Sequence, residues 1–179
     1  MNDLLQPARF WIIGLCLVLA SNLTGCVGYQ LGSMLPPDIR TVHVPTCLNE
    51  TDEPLLEVDV TRAVIREIQR DGSLRIAGAD EADAILEITL TGFRLSPVAY
   101  EREIRGRADE YRMIITANLL MTRSPEGDVI VEAHRVSGDT VFPLVGDMTS
   151  AKLTAIPDAS EDLGRQIVNH MVETWPTPQ

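Results

Sequence analysis

Between residues 111 and 122 the chain alternates almost without a break. Tyr111, Met113, Ile115, Ala117, Leu119 and Met121 fall on one face. Arg112, Thr116, Asn118 and Thr122 fall on the other, with Ile114 and Leu120 among them. Successive side chains of an extended strand point to opposite faces, so this pattern is a long strand with one face to bury. Two stretches of helical period can supply the cover. Leu56, Val60, Ala63, Val64 and Ile68 recur at spacings of three and four, with Glu57, Arg66, Glu67 and Arg70 on the wet side. Asp52-Glu53-Pro54 suits the start of that helix, and Gly72 suits a left-handed cap at its end. Leu163, Ile167, Val168, Met171 and Trp175 repeat the period, with Asp158 or Ser160 as a cap and Pro176 as a stop.

The remaining segments are shorter. Residues 39–45 read as a first strand, with Val42 and Val44 on one face and Pro45 at its end. Residues 46–54 read as a polar loop, and Leu74 opens only a short strand start. Leu86, Ile88 and Leu90 alternate with Glu87, Thr89 and Thr91; Gly92 suits a bulge, and Phe93 and Leu95 carry the strand on. A charged link over residues 101–110 leads into the long strand. Residues 124–128 form a turn, after which Val129, Val131 and Ala133 alternate. From Gly138 to about Pro157 the pattern is irregular. The expectation is an α+β fold: a small four-stranded mixed or antiparallel sheet with two helices packed on one face.

The N-terminus carries an address. An apolar run begins at Phe10, preceded by Arg9, and ends in Leu23-Thr24-Gly25-Cys26. A short charged start, an apolar middle and small residues before a cut describe a secretory signal. Leu-Thr-Gly-Cys fits the lipobox of bacterial lipoproteins, in which the thiol, here Cys26, takes the lipid. Residues 10–23 would span about 21 Å as a helix at about 1.5 Å per residue, short of a hydrocarbon core of about 30 Å. The organisation expected is therefore a signal peptide over residues 1–25, a lipidated tether over 26–37 and one domain over 38–179. Val27 follows the cysteine; an Asp there is the usual inner-membrane retention signal in enteric bacteria, so Val27 points to the outer membrane.

Charge and chemistry narrow the function. The net charge is -11, which argues against nucleic acid and against broad adhesion to anionic lipid. Any anionic ligand must meet a local basic cluster. Lys152 is the only lysine. Once Cys26 is lipidated and Cys16 removed, Cys47 stands alone and forms no internal disulfide. His43, His134 and His170 are far apart, and no Cys or His pair has zinc-site spacing. His43 and Cys47 lie about 13 Å apart on an extended chain, beyond the reach of a thiol–imidazole pair. No nucleophile elbow or phosphate loop is present. The chain reads as a non-enzyme with no cofactor and no metal.

In order and spacing, several pieces resemble the LptE family of outer-membrane lipopolysaccharide-assembly lipoproteins. They are Cys26-Val27-Gly28-Tyr29-Gln30-Leu31, Val42-His43-Val44-Pro45, the Asn49-Glu50-Thr51 loop and Glu81-Ala82-Asp83-Ala84-Ile85-Leu86. The most telling is Glu110-Tyr111-Arg112-Met113-Ile114-Ile115-Thr116-Ala117-Asn118. The resemblance implies a lipid-anchored plug, on the periplasmic side of the outer membrane, inside a β-barrel of LptD type. The pair passes lipopolysaccharide to the cell surface. In that family basic residues before the central strand contact the ligand; the matching positions here are Arg105 and Arg107, then Arg102. A second basic position, before the final helix, is not cleanly matched; Lys152 is only near it.

The competing expectation is a lipoprotein that binds and activates a peptidoglycan synthase. About ten residues separate Cys26 from the first strand, or about 35 Å at full stretch. That is short for crossing the periplasm and favours a partner at the outer membrane.

Overall fold

The computed structural model describes residues 35–100 and 108–173. The chain divides into two units, Met1–Gly32 and Ser33–Gln179, and every described residue belongs to the second.

The frame is a three-stranded antiparallel meander of long strands. Ala84–Tyr100 (β4) pairs with Ala108–Arg123 (β5), which pairs with Val129–Pro143 (β6). Leu86, Ile88 and Leu90 of β4 and Met113, Ile115, Ala117, Leu119 and Met121 of β5 are buried, as the alternation requires. A register shift between Leu90 and Gly92 keeps the alternation in step, so Phe93 and Leu95 still face Ile115 and Met113. Three short strands complete the sheet: Thr41–His43 (β1), Leu48–Asn49 (β2) and Arg75–Ile76 (β3). The order is β3-β1-β4-β5-β6, with β2 also paired to β4. All pairs made by β1 and β2 are parallel.

The sheet thus has six strands among the described residues, not the four expected. The two beyond the expected four, β2 and β3, have two residues each, too short to show a period of two. One of them, β2, lies inside the stretch read as a polar loop, where Leu48 sits opposite Thr89. Strand β1 is held to β4 by Asp83. Its Oδ2 accepts hydrogen bonds from the Arg40 and Thr41 amides, both at 2.9 Å, and from Thr41 Oγ1 at 2.8 Å.

Leu56–Asp71 (α1) is the first amphipathic helix, with Leu56, Val60, Ala63, Val64 and Ile68 buried. Gly72 closes it at φ 78°, its N–H donating to the Ile68 carbonyl. Met148–Glu173 (α2) begins ten residues before the earlier of the two expected caps, Asp158, which like Ser160 lies inside the helix. The cap is Asp147, whose carboxylate accepts from the Ser150 N–H at 3.0 Å and the Ser150 hydroxyl at 2.8 Å. This satisfies an otherwise orphaned amide of the first turn. Pro157 sits within α2. The carbonyl it fails to satisfy belongs to Leu153, a residue 60% exposed. Trp175 lies outside the described residues.

Strand β6 also outruns the expectation. Asn118 falls between the pairs Ala117↔Val136 and Leu119↔Ala133, so it faces two residues, His134 and Arg135. The bulge places Arg135 at φ 57°. Beyond it the inward parity switches from odd to even, and Val136, Gly138 and Phe142 become the buried positions. The two helices cross where Gly164 meets the Ala63 backbone; a Cβ there would lie 3.3 Å from the Ala63 carbonyl carbon. Buried side chains of both helices and of β4, β5 and β6 form one core.

Candidate functional site

The β4–β5 hairpin has two ends of different character. Its 17-residue first strand is about 53 Å long at about 3.3 Å per residue. At one end Ala84 pairs with Arg123, and Arg123 forms an ion pair with Asp38. That pairing ties the described N-terminal segment to this end. At the other end Tyr100 pairs with Ala108, and residues 101–107 connect them. Arg102, Arg105 and Arg107 belong to that connection and lie outside the described residues, as does Cys26.

The sheet face away from the core changes charge along its length. Nearest Asp38 it carries Glu87, Leu120 and Glu132, brought into one row by the pairings Glu87↔Leu120 and Leu120↔Glu132. His134 Nε2 lies 3.2 Å from Glu132 Oε1. A shallow hollow of about 450 Å³ opens between these residues and Leu48. Its carboxylates make it a poor seat for an anion. Toward the hairpin end the rows become Arg94–Ile114–Asp139 and Ser96–Arg112–Val141. Arg112 Nε is 3.4 Å from Asp139 Oδ2, with both side chains about half exposed. Such a pair contributes little and leaves most of the guanidinium available. Arg94 makes no ion pair among the described residues. Toward the hairpin end the open face thus carries two arginines, Arg94 and Arg112, interspersed with Asp139 and Glu110.

Lys152 does not join that surface. Its Nζ lies 2.7 Å from Glu53 Oε2, with the two side chains 21% and 9% exposed. The ammonium also sits 6.0 Å from the centroid of the Phe93 ring. The pair joins the first turn of α2 to the loop before α1, and Phe93 of β4 lies beneath it. Ninety-nine positions separate the two residues, so no spacing rule could have joined them.

Cys47 and His43 have separate partners. Thr61 Oγ1 lies 3.2 Å from Cys47 Sγ and accepts from the Cys47 amide at 3.0 Å. Burial pushes the thiol above its ordinary range, partly offset by the Thr61 contact. His43 Nδ1 lies 3.2 Å from the Ala77 carbonyl. A buried thiol with a raised pKa is a poor nucleophile. Among the described residues no three His, Cys, Asp or Glu side chains converge as a metal site.

The family model LptE, described as lipopolysaccharide-assembly, matches residues 39–171. No curated protein matches the chain by sequence. Among solved structures, a protein from Xanthomonas campestris shares the fold with a TM-score of 0.53 at 12% identity. The match covers 77% of this chain and 89% of that one. Lipoprotein B from Nitrosomonas europaea aligns with a TM-score of 0.49 at 15% identity, covering 82% of this chain and 91% of that one. A minor lipoprotein from Acinetobacter baumannii aligns with a TM-score of 0.49 at 13% identity, covering 81% and 98%.

Proposed function

Because the chain belongs to the LptE family of lipopolysaccharide-assembly lipoproteins, we propose that it plugs an outer-membrane β-barrel of LptD type and assists delivery of lipopolysaccharide to the cell surface. The observation that carries this reading is the family match over residues 39–171, which runs from just before β1 almost to the end of α2. The family match lends nothing to the alternative of a peptidoglycan-synthase activator.

In this reading residues 1–25 are a signal peptide and Cys26 carries the lipid. Residues 26–37 tether one domain, 38–179, to the periplasmic side of the outer membrane. The polar outer sheet face suits a barrel lumen, which is itself polar. The ligand meets Arg105 and Arg107, with Arg102 third, through charge-assisted hydrogen bonds to phosphate or sugar-acid groups. Arg94 and Arg112 lie on the open face toward that connection. Lys152 is left out of the ligand contacts in this reading, because Glu53 already pairs with it. The work is assembly and transfer rather than covalent chemistry.

The test is a pull-down of the tagged, lipidated protein from detergent-solubilised outer membranes, with partners identified by mass spectrometry. A large β-barrel recovered in near-equal amount is the expected result. A peptidoglycan synthase, or no barrel, overturns the reading.

A further inference from the structure

Strand β6 is one edge of the sheet, and among the described residues no strand pairs its outer side. Such an edge presents unpaired N–H and C=O groups to whatever lies alongside. Here a side chain closes the edge at one position: the Asp139 N–H donates to Asp162 Oδ2 of α2 at 3.0 Å. The Asp139 N–H therefore points away from β5. Register is unbroken from Val136 to Pro143, so the period of two puts the Val141 N–H on the same free side.

Among the described residues no side chain closes the edge at Val141. A groove of about 420 Å³ lies there instead. Val141, Phe142 and Val145 line one side; Ala151, Thr154 and Ala155 of α2 line the other. No β5 residue contributes, so the groove lies beyond the edge strand, beneath the flank of α2. That is the place a neighbouring strand would put its inward-facing side chain. Val141 is 45% exposed and Val145 is 74% exposed.

We propose that the Val141 step and this groove receive a short extended segment of the barrel partner, which pairs with β6 and seats one apolar side chain against α2. This rests on the plug reading given above. Main-chain groups at the edge select an extended polypeptide, and the lining selects an apolar side chain. The closure at Asp139 and the missing N–H of Pro143 confine the pairing to a few residues. An acyl chain would fill the groove but leave the Val141 N–H unpaired. A second copy is a poor occupant, because each chain carries a net charge of -11 and offers an edge closed at Asp139.

The test places a photo-activatable crosslinker at Val145, at Thr154 and, on the open sheet face, at Thr116, in the full lipidated protein co-purified with its barrel. Crosslinks from positions 145 and 154 should map to one short segment of the barrel. Val141→Pro, which removes the N–H, should lower that yield several-fold while the barrel still co-purifies. Should that variant fail to fold, Thr154→Arg fills the groove from an exposed position and should give the same loss. Co-purification with barrel crosslinks from Thr116 alone overturns the edge proposal and leaves the plug reading standing. Crosslinks from 145 and 154 to lipid or to a second copy overturn it as well. Failure to recover any barrel overturns both.

Discussion

Gly138 of β6 and Leu163 of α2 meet backbone to backbone: a Cβ built on Gly138 would lie 2.1 Å from the Leu163 nitrogen and 2.4 Å from its Cα. Only a hydrogen fits between them. The helix rests on the strand at this point, and its buried side chains Leu163 and Ile167 reach the sheet because of it. Gly138→Ala must lift the helix or bend the strand. The expected loss is about 3 kcal/mol, at the upper end for an overpacked site. Gly78→Ala is the control, since nothing lies within 4 Å of its added methyl; it should change stability by less than about 0.5 kcal/mol. Denaturant unfolding of both variants checks this, and equal midpoints would contradict the packing described.

Acid should loosen the join between β1 and β4. Hydrogen bonds from the Arg40 amide, then from the Thr41 hydroxyl and amide, hold the Asp83 carboxyl below the usual carboxylate range. The hydrogen bond from Arg123 does the same for Asp38. A carboxyl whose folded pKa is depressed stabilises the protein above its unfolded pKa, about 4. That contribution is lost as pH falls through the folded value. The Tm should therefore drop progressively below about pH 5. Asp83→Asn should lower the Tm at neutral pH and flatten the acid limb. A variant that is less stable by the same amount at every pH would show that the carboxylate charge is not involved.

The legible parts of the fold are those where one period runs unbroken. The alternation from Tyr111 to Met121 and the spacing from Leu56 to Ile68 both survive intact in the structure. Legibility fails where a local event resets the pattern. At Arg135 the bulge exchanges odd for even inward positions, so Val136, Gly138 and Phe142 look irregular when read from Val131. At Pro157 a residue that usually ends helices lies inside one, which hides Met148, Ala151 and Ala155 as its earlier turns. The clasp between Lys152 and Glu53 depends on a tertiary approach that no local pattern encodes. The role given to Arg102, Arg105 and Arg107 came only through resemblance, because arginines interspersed with acids carry no local pattern that names a ligand.

Lys152→Met should leave the Glu53 carboxylate buried without its cation. Breaking a buried pair from one side costs about 3 kcal/mol, and the partial exposure of Lys152 makes that an upper figure. Adding Glu53→Gln should recover much of the loss. Capture of lipopolysaccharide by folded Lys152→Met protein should match the parent. Reduced capture at unchanged stability would instead make Lys152 a ligand contact.

The Cys47 thiol should resist alkylation. It is 4% exposed, touches Thr61, and has its pKa raised chiefly by burial. Iodoacetamide at pH 8 should modify it slowly in the native mature protein and many-fold faster in denaturant. Rapid native labelling would mean that the region between β1 and α1 opens readily. Cys47→Ala should be tolerated, because the site supplies packing and a weak sulfur contact rather than chemistry.

The two ends of the hairpin should separate by mutation. Arg105→Ala together with Arg107→Ala alters only the connection between β4 and β5, outside both strands. The double variant should keep its Tm and its barrel partner but retain several-fold less lipopolysaccharide in a co-purification assay, with a weaker salt dependence. Cys26→Ala should abolish palmitate labelling and leave the isolated domain as stable as before. If the double Arg variant captures lipopolysaccharide as the parent does, the basic connection is only a solvated surface. Arg94 and Arg112, on the open face of the sheet, would then be the next residues to substitute. If barrel association falls along with capture, the same arginines hold the partner rather than the ligand.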